Sequence, residues 1–213
     1  MARDVTGCVA MMAPLAGLSP GRVGLDDVNV AVAWVDDAAP GIRARVEAAA
    51  AVFPRKKEIE FPLMPANIDP TFQREVADVH RELFAEHADG YGANVRWKVE
   101  RALEVTDEEY EASAAVRDRY RGEAAEALEG FDLLLVPTIG TIAPPRSLSE
   151  RDLRPSVLRF TEPFNVLGWP ALALPCRDAE HGLPASVSLV GTTDADALVL
   201  GAGLALEAAL AGS

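Results

Sequence analysis

Cysteine is nearly absent: Cys8 and Cys176 are the only two among 213 residues. Thiols so far apart make neither a metal knuckle nor a disulfide framework, and both read as free, partly buried thiols in a reducing compartment. Lysine is scarce too, three against seventeen arginines, a bias with no functional meaning of its own. Basic charge as a whole falls short, with 20 basic against 33 acidic residues and a net charge of −13. A surface of that sign repels phosphate, which argues against nucleic-acid and anionic-membrane partners. Long hydrophobic runs are missing. The longest, Ala197 to Leu206, is far short of the ~20 residues of a membrane span. Met1-Ala2-Arg3-Asp4 has no basic segment followed by an apolar core, so no export signal is visible. The expectation is a soluble, cytoplasmic chain.

What is present is ordinary globular composition, 49% hydrophobic and 25% charged, long enough for one to two domains with a real core. Asp4 to Ala13 reads as a short helix with Val5, Cys8, Val9 and Met12 on one face, ended by Pro14 and the Gly17-Leu18-Ser19-Pro20-Gly21 cluster. Asn29 to Val35 is a β-branched apolar run, expected as a buried strand. Pro40 to Phe53 is helical, with Ile42, Val46, Ala49, Ala50 and Phe53 at helical spacing. Glu58 to Phe61 alternates like a strand. Helix, strand, helix, strand favours an α/β layer with parallel pairing.

From Pro70 to Leu128 the chain becomes helix-rich, and residues 71–130 carry a net charge of −7. Thr71 to His87 is amphipathic, with Val76, Val79, Leu83 and Phe84 expected inward. Asn94 to Leu103 is a second helix. Thr106 opens a third as N-cap, Glu109 is its capping-box partner, and Gly130 ends it. Residues 71–130 read as a helical insertion in one domain. Residues 131–213 form a C-terminal α/β part. There Phe131 to Pro137 is a buried strand and Thr138 to Pro145 a loop leaving its C-terminal end, where open α/β sheets bind ligands. Leu153 to Asn165 reads as helical, interrupted by Pro155 and Pro163. Pro170–Pro175 and Ser186–Val190 read as strands joined by a turn-forming stretch. Asp194 caps a last, apolar helix, Ala195 to Leu210.

The search for chemistry finds no complete catalytic set. His80 and His87 lie about two turns apart, ~10.5 Å, too far to share one metal ion. His181 sits in a turn. A Ser–His–Asp triad stays open at this level, yet no serine lies in a Gly-x-Ser-x-Gly elbow. Ser19, Ser113, Ser147, Ser149, Ser156, Ser186, Ser188 and Ser213 read as turn, cap or strand-face residues. Lys56 and Lys57 follow Arg55 in a solvated cationic run, and Lys98 reads as a surface pair to a glutamate. Gly201-Ala202-Gly203 reads as tight helix packing. No cofactor and no metal are implied.

Three segments carry a resemblance. Phe131-Asp132-Leu133-Leu134-Leu135-Val136-Pro137-Thr138, followed by Ala143-Pro144-Pro145, resembles the "DLLLTPT…APP" segment of the amidase signature family. Thr161 to Cys176 (TEPFNVLGWPALALPC) is similar to its "FTxPFNxxGxPALSLPC". Gly182 to Gly191 is similar to its "GLPVGLQLVG". Met1 to Met12 also resembles the family's "GPMARDVAGCAALM" helix.

The resemblance implies the C-terminal portion of an α/β/α sandwich with a mixed sheet, and hydrolysis of linear carboxamides to acid plus ammonia or amine. The family's serine nucleophile, cis-serine and lysine base lie before the "GPMARD" helix, the serines in or behind a glycine–serine loop. None of them has a counterpart here. The expectation is therefore a truncated amidase fragment with no catalytic residue of its own, inactive alone. The resemblance also implies pocket-lining roles for Thr138, Ile139, Phe160, Thr161, Phe164, Asn165 and Trp169. The tRNA-dependent amidotransferases of the family carry an Asp just before "TxPxNxxG"; Leu158, Arg159 and Phe160 stand there, which favours a general amidase. The alternatives are a non-catalytic binding or regulatory protein, or one subunit of a split amidase or amidotransferase. The implied partners are a small-molecule amide once the missing half is joined, and a second copy or another polypeptide.

Overall fold

The computed structural model describes residues 1–148 and 150–212; Ser149 and Ser213 lie outside them. The chain forms two compact units, Met1–Phe61 with Ala125–Ser213, and Pro62–Ala124.

The first unit is built on a five-stranded mixed sheet. Its strands are β1 (Val30–Val32), β2 (Lys56–Glu58), β3 (Leu133–Pro137), β4 (Ala171–Glu180) and β5 (Leu183–Val190), in the order β2-β1-β3-β5-β4. β1 runs parallel to both β2 and β3, while β5 runs antiparallel to β3 and β4. Alternation along the strands divides the core. Val30, Val32, Leu133, Leu135, Val187 and Leu189 meet helix α2 (Pro40–Ala51) and the last helix, α8 (Asp196–Gly212), through Ile42, Val46, Ala49, Val199 and Leu206. The opposite side chains, Ala31, Leu134, Val136 and Val190, are fully buried as well. A sheet covered on both faces accounts for the unbroken apolar runs of its central strands.

Several elements differ from their expected bounds. The first helix, α1 (Val5–Ala16), passes through Pro14 and stops at Gly17, whose φ of +65° starts the left-handed C-cap. β1 ends at Val32 instead of Val35, because Trp34 adopts φ +58° and turns the chain into a 3₁₀ turn, Val35–Asp37. β2 lies two residues earlier than the alternation of Glu58–Phe61 suggests. Its Lys56, Lys57 and Glu58 are all exposed, as suits a strand at a sheet edge. The expected Leu153–Asn165 helix is two helices, α6 (Glu150–Leu158) and α7 (Glu162–Leu167), with Pro163 in the first turn of α7. β4 and β5 extend to a tight hairpin whose corner, His181 and Gly182, has φ of +54° and +71°. Two successive left-handed residues match the right-handed twist of the flanking strands. Asp194 stands two residues before α8, at φ +67°, and Ala195 is the residue whose carbonyl accepts the first helical bond, from the Val199 amide at 2.9 Å.

The second unit holds α3 (Asp69–His87) and α4 (Ala93–Leu103), and most of α5 (Asp107–Ala127). The capping box of α5 is formed: Glu109 N–H donates to Thr106 Oγ1 at 3.2 Å, and Thr106 N–H donates to Glu109 Oε2 at 2.9 Å. The two hydrogen bonds from Thr106 hold the Glu109 carboxyl below the usual carboxylate range. The burial of α3 differs from the expected face. Thr71 and Ala77 are its buried residues, Val76 and Phe84 are half-buried, and Val79 and Leu83 are exposed. The buried side is the one its neighbours hold: α3 packs on α4, and Thr71 is fastened to Ser113 of α5, its amide and its hydroxyl reaching Ser113 Oγ at 3.1 and 2.7 Å.

Candidate functional site

The parallel strands β1 and β3 end side by side, so the segments that follow them meet at one end of the sheet. The Ala39 amide donates to the Gly140 carbonyl at 2.8 Å and ties the two segments together. Thr138, the first residue beyond β3, donates its amide to the Ser186 carbonyl (3.2 Å), and its hydroxyl shares a 2.9 Å hydrogen bond with the buried Ser188 hydroxyl. Ligands of open α/β sheets bind at such strand ends.

Trp34 dominates this end. A bulky residue at φ +58° is a backbone outlier of a kind that costs energy and clusters at functional sites. The strain is held by contacts on several sides. Its indole N–H donates to the Phe61 carbonyl at 3.0 Å. Its ring lies 5.4 Å from Phe61, 6.2 Å from Phe160 and 5.8 Å from Phe164, centre to centre. Trp169 extends the row, 6.1 Å from Phe61. Edge-on and tilted arrangements of this kind suit the ring quadrupoles. Beside the row, Arg159 reaches Asp37 at 2.6 Å, with its guanidinium 5.9 Å above the Phe160 ring. Both charged side chains keep more than a third of their surface in water, so the pair orients Arg159 more than it stabilises the fold.

The structure thus brings together three of the seven sequence-derived lining residues, Phe160, Phe164 and Trp169, in one aromatic row. Thr138 stands at the same strand ends, paired with Ser188. Ile139 is half-buried, Thr161 is the half-buried N-cap of α7, and Asn165 is exposed. Three members escape the sequence: Trp34, Phe61 and Asp37 join the site only through tertiary contact, while Arg159, noted before the Thr-x-Pro motif, is fixed there by its pair with Asp37. The one signal for Trp34 was an aromatic residue inside an otherwise β-branched run.

Phe61, Phe160 and Phe164 are buried, so the row is a filled wall. Two cavities lie elsewhere. One of 460 Å³ borders β2 and is lined by Val32, Val35, Asp36, Glu47, Lys56 and Glu58 among others. One of 230 Å³ borders Arg45, Cys176 and Leu210. Burial pushes the Cys176 thiol up to about 11, so at neutral pH it is a protonated apolar group and a poor nucleophile. His80 Nδ1 is within 2.8 Å of the Tyr91 hydroxyl, and His87 is exposed beside Glu86. Among the described residues no three His, Cys, Asp or Glu side chains gather as a metal site. Among them, too, no helix is long and apolar enough to cross a membrane. What the strand ends present to solvent is the half-buried Trp34 and Trp169, edged by the Arg159–Asp37 ion pair.

Residues 28–200 match the family model described as Amidase. The chain is 29% identical over 188 residues, 81% of its length, to the 2-amino-5-chloromuconic acid deaminase of Comamonas testosteroni. It is 42% identical over 82 residues, 37% of its length, to a component of the mitochondrial glutamyl-tRNA(Gln) amidotransferase of Ixodes scapularis. A solved structure described as an amidase superposes on 98% of the chain with a TM-score of 0.83 and 27% identity. The chain spans 51% of that solved chain, and 40% and 16% of the two relatives.

Proposed function

Because the chain belongs to the amidase family, we propose that it is the C-terminal portion of a hydrolase of linear carboxamides and supplies the acyl-binding wall. The observation that carries this reading is the aromatic row at the ends of β1 and β3, built around the strained Trp34. Phe160, Phe164 and Trp169 come from one of the three segments that together resemble the family, and the half-buried Trp34 and Trp169 are the members of the row that an apolar or mixed acyl group would touch. Leu158, Arg159 and Phe160 stand just before the Thr-x-Pro motif, where the resemblance implies an Asp in the amidotransferases, and Arg159 there is paired with Asp37, which supports a general amidase.

The nucleophile belongs elsewhere in this reading. Amide hydrolysis of this type needs an activated serine and a lysine sheltered from water. The three lysines here are Lys56, Lys57 and Lys98, and no glycine–serine loop occurs in the 213 residues. Lys56 and Lys57 are exposed at the sheet edge. The portion that carries the nucleophile would close over the wall and present the amide carbonyl to it.

The test is ammonia release from simple aliphatic and aromatic carboxamides, read together with fluorophosphonate labelling. The purified chain is expected to do neither. Adding a separately expressed amidase portion that carries the glycine–serine loop is expected to restore both, and Trp34→Ala in this chain is expected to raise KM for aromatic amides. Ammonia release or labelling of one hydroxyl in the chain alone overturns the reading.

A further inference from the structure

The apolar stripe that the sequence turns inward on α3 faces solvent in the fold. Phe72 is 60% exposed, Val79 77% and Leu83 50%, with Val76 half-buried between them. Their spacing of four, three and four residues is that of a d-a-d-a seam in a two-stranded coil. The other side of α3 is fastened within its own unit. Thr71 is bonded to Ser113, Ala77 is buried, and Arg74 holds the Val105 carbonyl and Asp107. The seam therefore stands on a helix already folded, and pairing it carries no helix-ordering cost.

The flanking residues select the occupant. With Phe72 and Val79 at d and Val76 and Leu83 at a, the g positions are Glu75 and Glu82. The e positions are Gln73, His80 and His87. In a parallel pair each g residue meets the e residue five positions on in the other helix. Glu75 then meets His80, and Glu82 meets His87. In an antiparallel pair g meets g, and the glutamates face one another. Glu75 now makes only an exposed 3.4 Å pair with Arg117, and His80 uses Nδ1 toward Tyr91, which leaves Nε2.

We infer that α3 pairs in parallel with α3 of a second copy of this chain through Phe72, Val76, Val79 and Leu83. The inference goes beyond the amidase reading and does not rest on it.

Sedimentation equilibrium of the chain from about 1 to about 200 µM is expected to show a monomer–dimer equilibrium. Val79→Glu, at a position open to solvent, is expected to weaken it at least about tenfold, by about 1.4 kcal/mol, with an unchanged circular dichroism spectrum. Leu15→Glu, an exposed apolar position on α1, is expected to leave it unchanged. Orientation is read from Val79→Cys in a Cys8→Ser background. A parallel pair brings both copies of position 79 into one layer, where dissolved oxygen with a copper(II)–phenanthroline catalyst oxidises the two thiols to a disulfide dimer. A chain monomeric at the highest concentration, a dimer indifferent to Val79→Glu, or a dimer whose Cys variant does not cross-link overturns the inference.

Discussion

The edge of the Phe160 ring fills the space that a β-carbon on Gly140 would need: Cε2 and Cζ lie 2.6 and 3.0 Å from that point. Both residues are buried, and the Gly140 carbonyl is already taken by the Ala39 amide. The contact lets the segments after β1 and β3 close beneath the aromatic row.

Gly140→Ala is expected to destabilise the fold by about 1–3 kcal/mol, the usual cost of overpacking a filled site. The buried ring has no room to swing away. Urea unfolding checks this, and combining Gly140→Ala with Phe160→Leu is expected to recover part of the loss. Strictly additive losses would mean that the two residues do not act on each other.

Trp34→Phe keeps an aromatic ring but removes the donor to the Phe61 carbonyl. The expected cost is about 1 kcal/mol, the net value of one hydrogen bond. A variant with the urea midpoint of the parent would show that the 3.0 Å contact contributes nothing to holding Trp34 in its left-handed backbone conformation.

The capping box of α5 is expected to weaken in acid. The bonds from the Thr106 amide and hydroxyl lower the Glu109 carboxyl in the folded state. A lowered value means that the cap is whole above the free glutamate value of about 4.3 and is lost as pH falls through the folded value. The Glu109 carboxyl resonance, followed by NMR, should titrate below that of free glutamate, and Thr106→Ala should return it toward the free value.

Cys176 is expected to resist iodoacetamide at pH 8 in the native chain and to react once the chain is unfolded. Its folded value near 11 lies above that of a free thiol, about 8.5, because burial disfavours the thiolate. The fold therefore favours the protonated thiol. That contribution is whole below the free value and is lost as pH rises through about 11. Rapid native alkylation of Cys176 would show that the site opens.

Much of the framework was legible because it depends on local patterns. The run Leu133–Val136 could be read as a buried strand because no polar residue interrupts it. Thr106 and Glu109 announced a helix start because the bonds they make span three residues. Gly130, at φ +83°, was legible as a stop because left-handed backbone favours glycine. β2 was shifted because an edge strand needs no apolar signal. The site was legible only where its residues fall within a motif, as Phe160, Phe164 and Trp169 do.

Tertiary structure alone decided the rest. Periodicity showed that α3 has an apolar stripe, but a helix buries whichever face its neighbours can approach most closely. Ala77 and Thr71 allow that approach, so Val79 and Leu83 were left outside. Trp34 joined the aromatic row because the ends of two parallel strands converge, and residues 100 or more apart in the chain meet there. The sequence by itself determined which segments are strands and helices and to which family the chain is similar. Which side chains meet, and which apolar face is left to solvent, depends on packing between segments that no local pattern encodes.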